Sequence, residues 1–223
     1  MAIKVFDCKG YGQIEPSQVW FTRSGMSESQ CFLNPIEFAS SYPVTPAEQK
    51  AGKVVAENGV FYMIDKANKT IHIPNENLSK LGYKMGINYS TEKMYNSHTP
   101  GRRNFCLTCK DPLPRLGFVE PGMKVCTNAI AWDDTVTETT TVKDDKASDS
   151  VNMYNSIKKT LAEHGETIYV AVIPESKGRL CVVSKETLLS KALGNVYGII
   201  TEAYTNADRT LSFKIMFIDK PSA

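Results

Sequence analysis

The sequence predicts an α+β, β-rich fold, with antiparallel sheets and hairpins and a few short helices. Three observations predict it. Apolar and β-branched residues gather in short runs bounded by Gly, Pro, Asn and Asp, the pattern of strands joined by turns. A complete hairpin is legible between residues 60 and 73. Helical spacing is confined to two stretches, both after residue 150.

The elements follow in chain order. Ile3 to Phe6 reads as a short strand, and Gly10-Tyr11-Gly12 opens a loop after it. Ser17 to Arg23 reads as a strand holding Trp20 and Phe21, residues 24–30 (SGMSESQ) as a polar turn, and Cys31-Phe32-Leu33 as a new apolar run before Pro35. Pro43 and Pro46 punctuate a loop. In KVVAENGVFYMIDKANKTIHIP, Asn58-Gly59 is a strong turn dipeptide. Val60 to Asp65 and Thr70 to Ile73 then flank Lys66-Ala67-Asn68-Lys69 as the two arms of a hairpin. Ile71 and Ile73 alternate with Thr70 and His72, so His72 is expected on an exposed face as an ordinary strand residue.

Residues 133–150 (DDTVTETTTVKDDKASDS) are acidic, Thr-rich and poor in large apolar side chains. They bury too little surface to offset ordering entropy and are expected as an exposed acidic loop, hairpin tip or linker. They divide the chain into a β-rich region, 1–132, and an α+β region, 151–223. In the latter, Val151, Tyr154, Ile157 and Leu161 recur at helical spacing, with Gly165 placed to stop the helix. Thr167 to Ile173 and Leu180 to Val183 read as strands. Ser184 caps a helix over SKETLLSKAL, which Gly194-Asn195 ends. Val196 to Thr205 and Leu211 to Ile218 form a last antiparallel pair.

With 223 residues the chain can bury a core without disulfides or metal. A net charge of +2 gives no case for nucleic-acid binding. No window approaches the ~20 apolar residues of a membrane span, and residues 1–16 carry no apolar run of signal-peptide length. A soluble protein made in a cytosol is therefore expected, and the N-x-S/T triplets at Asn68, Asn77 and Asn88 are incidental. Six scattered cysteines, 8, 31, 106, 109, 126 and 181, fit reduced thiols better than a disulfide framework.

Cys106 and Cys109 form a C-x-x-C pair, with His98 upstream and Cys126 downstream. A structural zinc needs four ligands in a tetrahedron, and these four could supply them. A redox pair needs a helix N-terminus, which the following Asp111-Pro112-Leu113-Pro114 does not offer. In a strand, Cys106 and Cys109 would point to opposite faces, which opposes shared ligation. Phosphate loops, dinucleotide fingerprints, nucleophile elbows and H-E-x-x-H are absent from the sequence. Asp133-Asp134 and Asp144-Asp145 read as solvated acidic loop, and Arg102-Arg103 and Lys158-Lys159 as surface charge. No enzyme activity and no cofactor are expected.

Three blocks carry a resemblance. They are GYGQIEPSQVWFTRSGMSESQ, the NGVFYMIDKANKTIHIP hairpin, and PRLGFVEPGMKVCTNAIAWDD with its Pro114, Arg115, Gly117, Phe118, Gly122, Thr127 and Asn128. Together they resemble virion proteins of tailed phages. The cysteines at 106, 109 and 126 depart from that pattern, and the resemblance does not reach the C-terminal third. It implies a virion structural protein made in the host cytoplasm: a capsid auxiliary or decoration protein bound to the major capsid protein and its neighbours, with self-association open. It implies no contact with nucleic acid or membrane. A tail or baseplate component is the alternative in the same particle; a zinc-stabilised binding module on His98, Cys106, Cys109 and Cys126 is the alternative outside it. For a docking protein, the aromatic side chains Tyr11, Trp20, Phe32, Tyr42 and Trp132 are the interface candidates, each weighed against packing in the chain's own core.

Overall fold

A computed structural model of the chain describes residues 3–6, 18–20, 28–30, 32–39, 44–57, 59–90, 94–95, 105–106, 114–134, 139, 141–163, 165, 167–205 and 211–222. The fold is α+β and β-rich. Its strands are β1 (Lys4–Val5), β2 (Gln18–Trp20), β3 (Glu28–Gln30), β4 (Phe32–Leu33), β5 (Phe61–Asp65), β6 (Thr70–His72), β7 (Lys84–Ser90), β8 (Met94–Tyr95), β9 (Phe105–Cys106), β10 (Arg115–Gly117), β11 (Lys124–Thr127), β12 (Ile130–Trp132), β13 (Ile168–Val172), β14 (Leu180–Val183), β15 (Tyr197–Thr205) and β16 (Leu211–Ile218). The helices are α1 (Pro46–Lys50), α2 (Glu76–Lys80), α3 (Asp149–Glu163) and α4 (Lys185–Lys191).

One sheet has eight strands in the order β1-β12-β14-β13-β15-β16-β11-β2, and a second has six in the order β3-β10-β7-β5-β6-β4. The pairs are antiparallel except β12 with β14 and β4 with β6, which are parallel. The sequence pattern predicts antiparallel pairs alone. The departure at β12 and β14 arises because α3 and β13 intervene, and a connection that long can return the chain in the same direction. The expected division of the chain also changes. The larger sheet takes β1, β2, β11 and β12 from before residue 133 and the rest from after it, so its ladder crosses the boundary at 132. Backbone pairing of Ile130 with Leu180 stitches the two regions together.

The main core lies where the two sheets face each other. Phe61, Met63, Met85 and Ile87 of the smaller sheet meet Val125, Ile130, Val170, Val172, Leu180, Val182, Phe213, Ile215 and Phe217 of the larger, with Tyr154 and Ile157 of α3. The period-2 pattern of LSFKIMFI puts Phe213, Ile215 and Phe217 on that face. The outer face of the smaller sheet buries Tyr62, Ile64, Ile71 and Leu116 against Phe38. The outer face of the larger buries Ala131, Ala171, Cys181 and Val183 against Leu188 of α4. Strand β5, FYMID, is thus buried on both sides.

Local chemistry explains the elements that are legible in the sequence. In the β5–β6 hairpin, Asp65 Oδ1 accepts from Ala67 N–H (2.9 Å) and Asn68 N–H (3.1 Å), and Oδ2 accepts from Asn68 Nδ2 (2.7 Å). Asn68 thereby holds the Asp65 carboxyl below the usual carboxylate range. Ser184 Oγ accepts from Thr187 N–H (3.1 Å) and caps α4 as expected. Other readings change. Helix α3 begins at Asp149, inside the acidic segment. Of that segment, Val142 N–H donates to Ser156 Oγ (2.9 Å), and Asp144 exchanges bonds with Asn152, so its described end is pinned along α3. Asp133 is buried, against the expectation of a solvated acidic pair, whereas Asp134 is exposed as expected and pairs with Lys4 (2.5 Å). Glu28–Gln30, expected in a turn, pairs with β10. Helix α1 stands where a Pro-punctuated loop is expected: Thr45 and Glu48 form a reciprocal capping box and Pro46 opens the first turn.

Candidate docking site

A cleft of about 470 Å³ opens beside β1. Three separate segments build it. Ile3 and Val5 supply one wall, Val54, Val55 and Glu57 another, and Glu175, Ser176, Lys177 and Arg179 a third, with Val60 and Tyr62 completing the lining. The third wall is held in a tight turn. Lys177 (φ 50°) and Gly178 (φ 91°) both take left-handed backbone, and Gly178 O accepts from Phe61 N–H at 2.8 Å. Ser176 Oγ, buried, accepts from Ile173 N–H (3.2 Å) and lies 2.9 Å from Ile173 O and 2.7 Å from Arg179 O. Arg179 pairs with Glu57, and Glu175 with Lys191 at 3.2 Å. Glu57 N–H donates to the Tyr62 hydroxyl oxygen at 3.0 Å. Burial, reinforced by the Glu57 carboxylate, pushes the Tyr62 phenol well above its ordinary value, so it stays protonated.

Among the described residues, backbone groups along this cleft are left without a partner on two sides. Phe6 N–H donates to Ile130 O (3.1 Å), so the alternate residue Val5 turns its N–H and C=O away from β12. Val54 bonds to Glu37 O and Ala39 N–H, and Val55 next to it makes no backbone hydrogen bond among the described residues. Val5 is 41% exposed.

A second feature lies at the β4 edge of the smaller sheet. Phe32 is 48% exposed and Ile36 79%. A polar network fixes the turn that presents them. Asn34 Oδ1 accepts from Ile36 N–H (2.9 Å), and Glu37 Oε2 accepts from Ile73 N–H (2.6 Å). His72 Nδ1 lies 2.9 Å from Glu37 Oε1, and Nε2 lies 3.2 Å from Thr70 Oγ1. A carboxylate oxygen accepts, which assigns the Nδ1 proton to that contact. His72 is therefore half-buried and fully engaged, not on an exposed face, because β4 and its turn cover the strand it sits on.

The residues singled out from sequence fall in different places. Phe32 is at the exposed edge just described. Trp132 is 2% exposed; its ring packs on Phe6 (centroids 4.9 Å apart) and its Nε1–H donates to Asp134 (3.1 Å). That places Trp132 in the chain's own core, the alternative weighed for each interface candidate, because IAW is buried on both faces between β1 and β14. Trp20 lies on β2, its Cα opposite Lys124. Tyr11 and Tyr42 lie outside the described residues, as do His98, Cys109 and Arg102-Arg103.

Cys106 lies on β9 opposite Met94. Cys126 is half-buried on β11 and Cys181 fully buried on β14, both as free thiols. Burial pushes the Cys181 thiol up to about 12, with Asp133 and Glu175 adding to the rise. Burial pushes the Tyr204 phenol above its ordinary value, and the neighbouring Cys126 thiol adds to the rise. Among the described residues, no three His, Cys, Asp or Glu side chains gather as a metal site. No described helix is long and apolar enough to cross a membrane. No protein family, curated protein or solved structure matches the chain.

Proposed function

We propose that this chain is a structural component of a tailed-phage particle, a capsid auxiliary protein that docks on the major capsid protein and stabilises the head. The observation that carries the reading is the pair of exposed apolar side chains, Phe32 and Ile36, held at an open sheet edge by a network of side-chain bonds. Single exposed apolar residues are ordinary on a soluble protein. Here two stand on one short segment, and Glu37, Asn34 and His72 make four hydrogen bonds that keep that segment in one conformation. A rigid apolar anchor loses little entropy on docking, which suits a protein that acts by contact. The resemblance of three sequence blocks to phage virion proteins supports the identity of the partner.

The test is binding to purified capsid shells. The chain is expected to saturate shells at a fixed stoichiometry and raise their melting temperature. Phe32→Ala with Ile36→Ser is expected to weaken binding by about 2 kcal/mol or more, with the protein's own melting temperature unchanged. Undiminished binding by the double variant would remove the edge from the interface; no binding by the parent would end the reading.

A further inference from the structure

We propose that the cleft beside β1 accepts an extended segment of a partner polypeptide, which adds to β1 as a strand and brings a carboxylate to Lys177. This inference concerns a different surface from the Phe32 edge and stands independently of the shell-binding reading.

The chemistry of the walls selects the occupant. Val5 offers an outward N–H and C=O at a sheet edge, and Val55 offers backbone groups on the facing wall that are unbonded among the described residues. An added strand pairs such groups at every second residue. An acyl chain or small apolar molecule would cover the valines and leave the backbone groups unmatched. Ile3 and Val5 are two residues apart and so project to the same side of β1. With Val54, Val55 and Val60 they form an apolar lining for the alternate side chains of an incoming strand. The volume, about 470 Å³, takes a few such side chains and not a folded element.

Charge sets the polar end. Arg179 is matched by Glu57 and Glu175 by Lys191, which leaves Lys177 as the cation of this lining without a carboxylate partner among the described residues. Its left-handed backbone fixes the turn from which it extends. A partner strand carrying an aspartate, a glutamate or a C-terminal carboxylate at its end complements it.

The probe is a blocked heptapeptide of alternating valine and threonine ending in aspartate, titrated into the full chain. Amide exchange at Val5 and Val55 is followed by NMR. Saturable binding with about tenfold slower exchange at both amides is expected. The same peptide N-methylated at alternate amides should bind at least about tenfold more weakly, because it cannot pair. Val5→Pro should abolish the peptide's protection of the Val55 amide without lowering the melting temperature, since the proline removes only an outward donor, and undiminished protection at Val55 would overturn pairing with β1. Lys177→Glu should weaken the aspartate peptide and leave its asparagine counterpart unchanged. The proposal is overturned by absence of binding at millimolar peptide, or by equal binding of the N-methylated form. Protection of Val5 that grows with protein concentration and no peptide would assign the cleft to a second copy of the chain and overturn the partner assignment. Failure here with intact shell binding leaves the proposed function standing.

Discussion

Gly178→Ala is expected to destabilise the protein by about 3 kcal/mol or more, the largest effect of any single methyl group in the described structure. Two causes add. At φ 91° an L side chain is strained whatever the space around it. A Cβ there would also stand 2.2 Å from Phe61 O and 3.0 Å from Val60 Cγ1. Phe61 heads the central strand of the smaller sheet, so the contact is backbone that cannot swing away. Relief requires the 175–179 turn to lift, which breaks the 2.8 Å bond from Phe61 N–H to Gly178 O and opens the cleft wall. Gly52→Ala is the control. Gly52 also has positive φ (72°), yet a Cβ added there would have nothing within 4 Å. It should cost only the backbone share, about 1 kcal/mol. Urea denaturation of both variants measures the difference, and equal costs would show that the contact with Phe61 is not tight.

Trp132→Ala is expected to cost about 3–5 kcal/mol and to lower the melting temperature by roughly 10 °C. The ring is fully buried, packs on Phe6, and sits in the core that joins the two sheets. Truncation leaves a cavity lined by rigid strands that collapse poorly. It also strands the edge strand β1, because Lys4 pairs with Trp132 in the ladder and Phe6 stacks on its ring. Trp132→Phe should recover most of the loss, since only the indole bond to Asp134 and part of the volume go. A surface anchor would behave in the opposite way: shell binding would fall while the melting temperature held. Calorimetry and a shell-binding titration on the same preparation separate the two.

What is legible in the sequence follows the range of the interaction concerned. The β5–β6 hairpin can be read because Asp65 and Asn68 close its turn with side-chain bonds spanning three residues. Helix α4 and the β15–β16 pair are equally local. Helix α1 is legible in principle, as Thr45-Pro46-Ala47-Glu48 spells a capping box, but the prolines around it read equally as loop punctuation. Trp132 is ambiguous because a large aromatic in a short apolar run fits a core and an interface alike; its burial depends on β14, whose Val182 pairs with it across about fifty residues of chain. His72 alternates correctly for an exposed position, and only the return of β4 beside β6 covers it. The cleft cannot be read from sequence at all. Its walls come from residues 3–5, 54–62 and 175–179, and no pattern within any one of them signals the others.

Copy number in the particle tests the central claim most directly. Quantitative mass spectrometry of purified virions, referenced to the major capsid protein, is predicted to find this chain at a constant whole-number ratio in every preparation. Its absence from washed particles, or a ratio that drifts between preparations, would contradict a role as a structural part of the head.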